Sequence, residues 1–311
     1  MSNISVVIPV YNRADWITKT LDRIICQITS LDEVVICDDG STDNLDEVLE
    51  AYKDIVKVVR ISNSGPGAAR MTGIENTKNE WIALCDSDDY WHKDHIYNFN
   101  KAVHKHPNIE FYFSNFIESN SKGISKFEKA PLAWFNSITK EYDQEIDIIL
   151  CNDNLFKNLL DFQPCFQSAC LFRRSLYDKV GGINPLISRL PSEDAHLTRR
   201  LAACGITAIN TNASVTINKH DANFSADITK NMAGRIEILE LLLKENRVPK
   251  NDIAKLKDNI FKSKLQLMRI YYWHRRYQDM RSLYADLDKT SFSMKDKLKW
   301  YLSFIRQAIH I

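Results

Sequence analysis

The sequence has no apolar run near the length that crosses a bilayer, about 18 or more consecutive residues. Its start, MSNISVVIPVYNR, lacks the basic and apolar segments of a signal peptide, so we expect a cytoplasmic protein. No pair among the seven cysteines has the spacing of a zinc site, and their odd number argues against a disulfide framework. With 44% hydrophobic and 26% charged residues, the composition excludes disordered and fibrous classes and predicts a globular chain.

Charged residues are divided unevenly along the chain, although the net charge is only +1. Downstream of Thr229 there are 18 Lys and Arg against 9 Asp and Glu, which leaves 23 against 31 upstream, so the two parts carry +9 and −8. A length of 311 residues suggests about two domains, and we predict a domain over 1–229 and a basic helical region over 230–311. An acidic main body argues against nucleic-acid binding, and a basic tail favours an anionic partner.

Short apolar runs alternate with segments of helical periodicity in the first part of the chain. Strands are predicted at 5–10, 34–37, 56–61 and 81–85, each followed by a helix, at 17–28, 43–53, 66–78 and 93–106. Nearly continuous apolar strands are buried on both faces, so the pattern predicts an α/β fold, a mostly parallel sheet flanked by helices. From Met232 onward the periodicity is helical, which predicts a C-terminal helical extension. The stretch 118–147 is not assigned.

Polar residues follow each predicted strand, at the edge where parallel sheets bind ligands. The sharpest signal is Asp86-Ser87-Asp88, because two carboxylates two residues apart on a turn can hold a divalent cation. The alternative is a solvated turn in which Asp88 or Asp89 caps the helix that begins near Lys93.

Two further acidic pairs give weaker signals. The first pair, Asp38-Asp39, follows the second strand. Asp39 is a candidate base or ribose acceptor, while Ser41 or Thr42 is a candidate helix cap. Glu193-Asp194 opens a predicted helix, where acidic residues are ordinarily favoured by the helix dipole. Asp194 would act as a general base only if it faces the same crevice as the other carboxylates.

Two basic motifs are candidate anion contacts. The glycine-rich segment 65–70 can cradle a phosphate at a helix N-terminus, with Arg70 adding charge, although such a segment is more often a tight turn. His220 is a candidate metal ligand or phosphate contact, and the alternative is a structural histidine.

Taken together and in order, these motifs resemble glycosyltransferase family 2, whose members are inverting, metal-dependent enzymes with the GT-A fold. The resemblance covers residues 4–225 and is carried by SVVIPVYNR, VVICDDGSTD, NSGPGAARMTGI, WIALCDSDDYW, LFRRSLYDKVGGIN, SEDAHLTRRLAACG and HDANFS. It implies a role for each matching residue. These roles are uracil contacts of a UDP-sugar from Pro9, Tyr11 and Asp39, a donor contact from Arg70, a contact near the ribose from Asp86, a Mn²⁺ or Mg²⁺ ion on Asp88, a general base in Asp194, a metal or diphosphate contact from His220, and further contacts from Glu193 and Asn223.

The sequence departs from the family pattern at a few points. Met71 stands where the family often has Asn, and no Gln-x-x-Arg-Trp motif or membrane span follows the Glu-Asp pair. The resemblance therefore implies a non-processive enzyme that adds one or a few sugars. We expect it to transfer a sugar from a UDP-sugar to a hydroxyl of a glycan or lipid-linked acceptor, in the synthesis of bacterial capsule, O-antigen or lipopolysaccharide.

Two other classes remain open from the sequence. A sugar-phosphate nucleotidyltransferase also binds a metal through carboxylates, but it would carry a glycine-rich basic loop after the first strand, where residues 10–14 have no glycine. A non-catalytic nucleotide-sugar binding module would explain the fold without explaining why both Asp88 and Asp194 are present.

The end of the chain combines basic and apolar residues in a segment too short to span a bilayer. These are Lys295, Lys297, Lys299 and Arg306, among Leu298, Trp300, Tyr301, Leu302, Phe304, Ile305 and Ile309. The pattern predicts an amphipathic helix on an anionic membrane surface, with Trp300 and Tyr301 at the headgroups. The protein would then lie on the cytoplasmic face of the inner membrane. The alternative is packing on the catalytic domain or on a second copy in a homo-oligomer.

Overall fold

The computed structural model of the chain describes residues 2–220, 227–245, 247–288 and 292–309, with side chains up to residue 306. The chain divides into two compact units, Met1–Asn223 and Phe224–Ile311. The boundary predicted from the charge pattern, after Thr229, lies inside the second unit near its start.

The first unit is built on a ten-stranded sheet in which most strands run in one direction. Across the sheet the order is β3-β2-β1-β4-β9-β6-β10-β8-β7, with β5 paired to β10. The strands are β1 (Ile4–Val10), β2 (Glu33–Asp38), β3 (Val56–Arg60), β4 (Trp81–Leu84), β5 (Tyr90–Trp91), β6 (Phe111–Glu118), β7 (Thr139–Asp143), β8 (Ile148–Cys151), β9 (Cys170–Arg173) and β10 (Thr207–Ile217). The strands predicted at 5–10, 34–37, 56–61 and 81–85 are β1 to β4, which lie side by side and parallel, so the predicted α/β architecture is confirmed.

Helices cover both faces of this sheet. They are α1 (Ala14–Ile25), α2 (Leu45–Leu49), α3 (Pro66–Glu75), α4 (His95–Lys105), α5 (Leu132–Ile138), α6 (Leu155–Leu159), α7 (Arg174–Lys179) and α8 (Glu193–Cys204). Ile17 and Leu21 of α1 join the buried cluster that contains Ile8 of β1. On the other face, a Cβ atom on Gly73 of α3 would lie 2.4 Å from Val7 Cγ1, so a glycine lets this helix approach β1 closely.

The second half of the sheet has two features that the sequence does not specify. β9 runs antiparallel between β4 and β6, so the sheet is mixed. β10 was not predicted, because register shifts between Asn210 and Val215 interrupt the alternation of apolar and polar residues that marks a strand. The unassigned stretch 118–147 contains α5 and β7, and it ends one residue before β8.

The second unit is helical, as the periodicity predicts. It consists of α9 (Ile228–Glu245), α10 (Ile253–Trp273), α11 (Tyr277–Ala285) and α12 (Met294–Ile309). Its core includes Met268, Tyr272, Met280 and Tyr284. Trp300 stacks on Tyr284 with ring centroids 5.0 Å apart, so its predicted outward position at lipid headgroups is wrong. Within the described residues, no helix has an apolar stretch long enough to span a membrane.

Candidate active site

The polar residues that follow β1 to β4 lie together at one edge of the sheet. The loops after β1 and β2 are joined directly, because the Asn12 backbone N–H donates to Ser41 Oγ at 3.0 Å and Asn12 Oδ1 accepts from the Thr42 N–H at 2.7 Å. Ser41 therefore braces a neighbouring loop, and neither Ser41 nor Thr42 caps α2, whose N-cap residue is Asn44. The juxtaposition predicted from parallel strand ends is present.

Asp39 holds the loop after β3. Its two carboxylate oxygens accept the backbone N–H groups of Ser64, at 2.6 Å, and Gly65, at 2.8 Å. Asp39 is 3% exposed, Pro9 is buried within β1, and Tyr11 is 45% exposed at the strand end. The three predicted uracil contacts thus lie at the same edge, and their role in binding stays a prediction.

The acidic turn after β4 contains carboxylates with different partners. Asp86 accepts from Arg70 at 2.7 Å and from Gln167 Nε2 at 2.8 Å. Asp89 accepts from Ser168 Oγ at 2.5 Å and from the Asn218 N–H at 2.9 Å. Burial, with the charges of the neighbouring carboxylates, raises the pKa of Asp89. Asp86 and Asp89 therefore tie the turn to residues 167–168 and to the end of β10.

Asp88 differs from its neighbours because it faces a histidine and an arginine. His220 Nε2 lies 3.0 Å from Asp88 Oδ2, and Arg13 Nε lies 3.5 Å from the same oxygen. The His220 ring stacks on Trp16 with centroids 5.2 Å apart. The alternative in which Asp88 or Asp89 caps the next helix is wrong, because the residue that precedes α4 is Asp94.

Asp88 and His220 suit a divalent cation that is shared with a ligand. A carboxylate oxygen and an imidazole nitrogen are ligands that Mn²⁺ accepts, and Mg²⁺ sites commonly complete their shell with phosphate oxygens and water. Within the described part of the chain, no three His, Cys, Asp or Glu side chains lie together in a cluster that could bind a metal ion on its own. The donor set fits a divalent cation that takes its remaining ligands from a bound molecule or from water.

Arg70 connects this edge to the start of α8. Its side chain is 5% exposed, and it pairs with Asp86, which follows β4, and with Glu193 at the start of α8. Asp194 is the next residue, and it lines a small cavity with Arg70 and Thr198. Burial raises the pKa of the Glu193 and Asp194 carboxyls, and the Arg70 guanidinium opposes that rise. Glu193 thus has an ion-pair partner. An acidic residue that only interacts with the helix dipole would not require one.

The glycine-rich segment at the start of α3 contacts protein. The Gly67 N–H donates to the Ser188 carbonyl at 3.2 Å, and a Cβ atom on Gly67 would lie 2.8 Å from Ser188 Cα. A Cβ atom on Gly65 would lie 2.6 Å from Arg189 Cγ. These glycines therefore make room for the loop before α8, and the predicted phosphate cradle at this helix end is wrong. Donor binding by Arg70 stays a prediction.

A family model described as glycosyl transferase family 2 matches residues 5–181. The chain belongs to this family. Its similarity to an Escherichia coli family relative, the UDP-Glc:alpha-D-GlcNAc-diphosphoundecaprenol beta-1,3-glucosyltransferase WfaP, is 27% identity over 247 residues, which covers 77% of this chain and 86% of that protein. The chain spans about a fifth of the length of the first curated relatives it matches.

Solved structures of other glycosyltransferases share the fold of this chain. A crystal structure of Staphylococcus aureus TarS in complex with UDP has a TM-score of 0.62 and 18% identity, and the match covers 97% of this chain and 78% of that one. The mannosyltransferase PcManGT from Pyrobaculum calidifontis, in complex with GDP-Man and Mn²⁺, has a TM-score of 0.60 and 16% identity, with coverages of 99% and 80%. The predicted GT-A fold is thereby confirmed.

Several residues of this family 2 site are not predictable from the sequence. Arg13, Gln167, Ser168 and Asn218 contact the acidic turn from far along the chain. Trp16 stacks on His220, and no sequence motif signals any of these contacts. The family motif that contains Asn223 lies partly outside the described residues, so this predicted contact has no structural account.

Proposed function

We propose that the chain is a metal-dependent, inverting glycosyltransferase that moves a sugar from a UDP-sugar to an acceptor hydroxyl. The acceptor would be a glycan or a lipid-linked saccharide, in the synthesis of bacterial capsule, O-antigen or lipopolysaccharide. Membership of family 2 supports the reaction class, and it disfavours the nucleotidyltransferase alternative.

The observation that carries this proposal is the link from the acidic turn to the start of α8. Arg70 contacts both Asp86 and Glu193, so the start of α8, which carries Asp194, is held beside the strand edge that carries Asp88. A metal-ligand candidate and a base candidate on two distant segments are thereby brought to one region. A module that only binds nucleotide sugars has no need of the second carboxylate.

In the proposed reaction, the acceptor hydroxyl oxygen attacks the anomeric carbon while Asp194 takes the hydroxyl proton. The bond between that carbon and the diphosphate oxygen breaks, and its electron pair leaves with UDP. Because attack and departure occur on opposite faces, a single displacement inverts the anomeric configuration. Burial raises the pKa of Asp194, which brings this carboxyl closer to the range suited to a general base.

Asp88 and His220 would hold the metal, Mn²⁺ or Mg²⁺. When bound there, the cation supplies positive charge that stabilises the developing negative charge of the UDP leaving group. Asp86, held by Arg70 and Gln167, would contact the donor near its ribose, and Pro9, Tyr11 and Asp39 would contact the uracil. The Mn²⁺ complex of PcManGT, which shares the fold, supports a divalent metal.

The names of similar proteins support the proposed donor and acceptor classes. TarS was crystallised with UDP, and WfaP uses a UDP-sugar with a diphosphoundecaprenol-linked acceptor. A lipid-linked acceptor would be reached at the cytoplasmic face of the inner membrane, where we propose that the enzyme works.

The experiment that tests this function measures UDP release from a set of UDP-sugars, with Mn²⁺, with Mg²⁺ or with a chelator. Candidate acceptors include sugars linked to polyprenyl diphosphate. We expect metal-dependent release that becomes faster with the right acceptor, because acceptor attack is part of the chemical step. UTP and a sugar phosphate serve as the control substrates for the nucleotidyltransferase alternative.

UDP binding without release under every donor and acceptor condition would contradict the proposal and favour a binding module. Diphosphate formation from UTP and a sugar phosphate would favour the nucleotidyltransferase. UDP release that is unaffected by chelation would contradict the metal-dependent mechanism.

A further inference from the structure

The last helix, α12, turns an apolar face outward. Met294, Leu298, Tyr301 and Ile305 are between 56% and 80% exposed. They recur at intervals of four, three and four residues, which places them along one side of the helix. These four residues form what we call the outward face of α12.

The opposite side of α12 is buried although it carries polar residues. Asp296 is 1% exposed and Ser303 is fully buried. Asp296 accepts two hydrogen bonds from Arg269 of α10, at 2.8 and 2.9 Å, and another from Ser293. Trp300 also lies on this inner side. A surface helix of a globular protein normally turns its apolar side to the core, so the outward face needs another partner.

Basic residues border the outward face on both sides. At 3.6 residues per turn, Lys297 lies along one border and Lys295 and Arg306 lie along the other. Lys299 follows them, with its Nζ 5.5 Å from the ring centroid of Trp273, which is itself 67% exposed. The acidic residue of this helix is the buried one. The outward face is therefore an apolar stripe with positively charged side chains along both of its borders.

We propose that the outward face of α12 binds the surface of an anionic lipid bilayer. Its apolar side chains would enter the boundary between headgroups and acyl chains, while the bordering lysines and arginine contact lipid phosphates. The charges favour lipid over a second copy, because two copies that meet through this face would bring their basic borders together. Membrane binding itself is independent of transfer, and only its consequence, access to lipid-linked acceptors, rests on the proposed function.

The test is flotation of the full chain with phosphatidylcholine vesicles, with and without phosphatidylglycerol, at low and high salt. We expect binding to the anionic vesicles that weakens with salt. Leu298→Glu with Ile305→Glu should lower binding by at least about tenfold, because two apolar contacts are lost and negative charge is added. Lys295→Gln with Lys297→Gln should lower it by about tenfold or more and flatten the salt dependence.

The matched control is Leu132→Glu, which changes a 99% exposed leucine of the first unit and should leave flotation unchanged. Urea unfolding followed by tryptophan fluorescence, measured for every variant, verifies that the chain is folded, and circular dichroism verifies helix content. The two lysine changes are conservative at the surface, so they test the idea even if the glutamate pair unfolds the tail.

Absence of flotation with anionic vesicles at low salt, or equal flotation by the wild type and both double variants, would overturn the inference. A dimer that the glutamate pair dissociates, with no vesicle binding by the wild type, would assign the face to a second copy instead. Intact flotation in a chain that releases no UDP would leave this inference standing while the proposed transferase function fails.

Discussion

At the scale of single residues, the carboxylates of the acidic turn are distinguished by their partners. Asp86 and Asp89 accept hydrogen bonds that hold the turn in place, whereas Asp88 lies beside His220 and Arg13. The sequence predicts the turn and its position, because it follows an apolar strand. Which carboxylate pairs with which side chain depends on contacts between residues 16 to 132 positions apart in the chain, which local patterns do not contain.

The proposed base gives the sharpest prediction at this scale. Asp194→Asn should leave the affinity for the UDP-sugar close to that of the wild type. Turnover should fall by roughly 10²–10⁴-fold, because the amide does not accept the acceptor proton in the transition state. Steady-state kinetics of UDP release, with donor affinity measured by calorimetry, separates the two quantities.

Asp178→Asn is the matched control, because Asp178 is an exposed acidic residue on α7. It should leave both quantities unchanged. Near-normal turnover in Asp194→Asn would return Asp194 to the role of a charge that merely opens a helix.

At the scale of elements, the strongly apolar runs were predictable and the irregular ones were not. β1, β2 and β4 are buried along nearly their whole length, so each reads as an apolar segment with a helical pattern after it. β3 is largely exposed, and its three valines give the strand pattern. β10 contains register shifts and polar residues, and β7 is exposed along much of its length, so neither gives a strand pattern. The direction of β9 depends on its neighbours in the sheet, which its own four residues do not specify.

Arg70 of α3 pairs with Asp86, which follows β4, and with Glu193 of α8. Its removal should therefore destabilise the first unit. Arg70→Met leaves Asp86 and Glu193 facing each other without the cation between them. We expect the free energy of unfolding to fall by about 3–5 kcal/mol, the usual effect of removing one partner from a buried ion pair. Urea unfolding followed by tryptophan fluorescence measures this loss.

Lys105→Met provides the control for that measurement. Lys105 also contacts two carboxylates, Asp143 and Glu145, but its side chain is 38% exposed, and Asp143 keeps His106 as a partner. Its removal should leave the free energy of unfolding close to that of the wild type, because solvent screens an exposed ion pair. Equal losses in the two variants would show that Arg70 acts as an ordinary surface charge.

At the scale of the whole molecule, an acidic part and a basic part follow each other in one chain. The family model ends at residue 181, within the first unit, and the proposed metal and base residues also lie in that unit. The sequence predicts a basic helical second part from composition and periodicity. It does not predict that Trp300 packs inward, because a helical stripe alone does not say which side meets the neighbouring helices.

The central claim is that Asp88 binds a metal that is shared with the donor diphosphate. Its most direct test is calorimetric titration of UDP with and without Mn²⁺, for the wild type, for Asp88→Ala and for the exposed acidic control Asp94→Ala. We predict that Mn²⁺ strengthens UDP binding to the wild type and to Asp94→Ala, and that Asp88→Ala loses this gain while it still binds UDP weakly. The same Mn²⁺-dependent gain in Asp88→Ala as in the wild type would contradict the account.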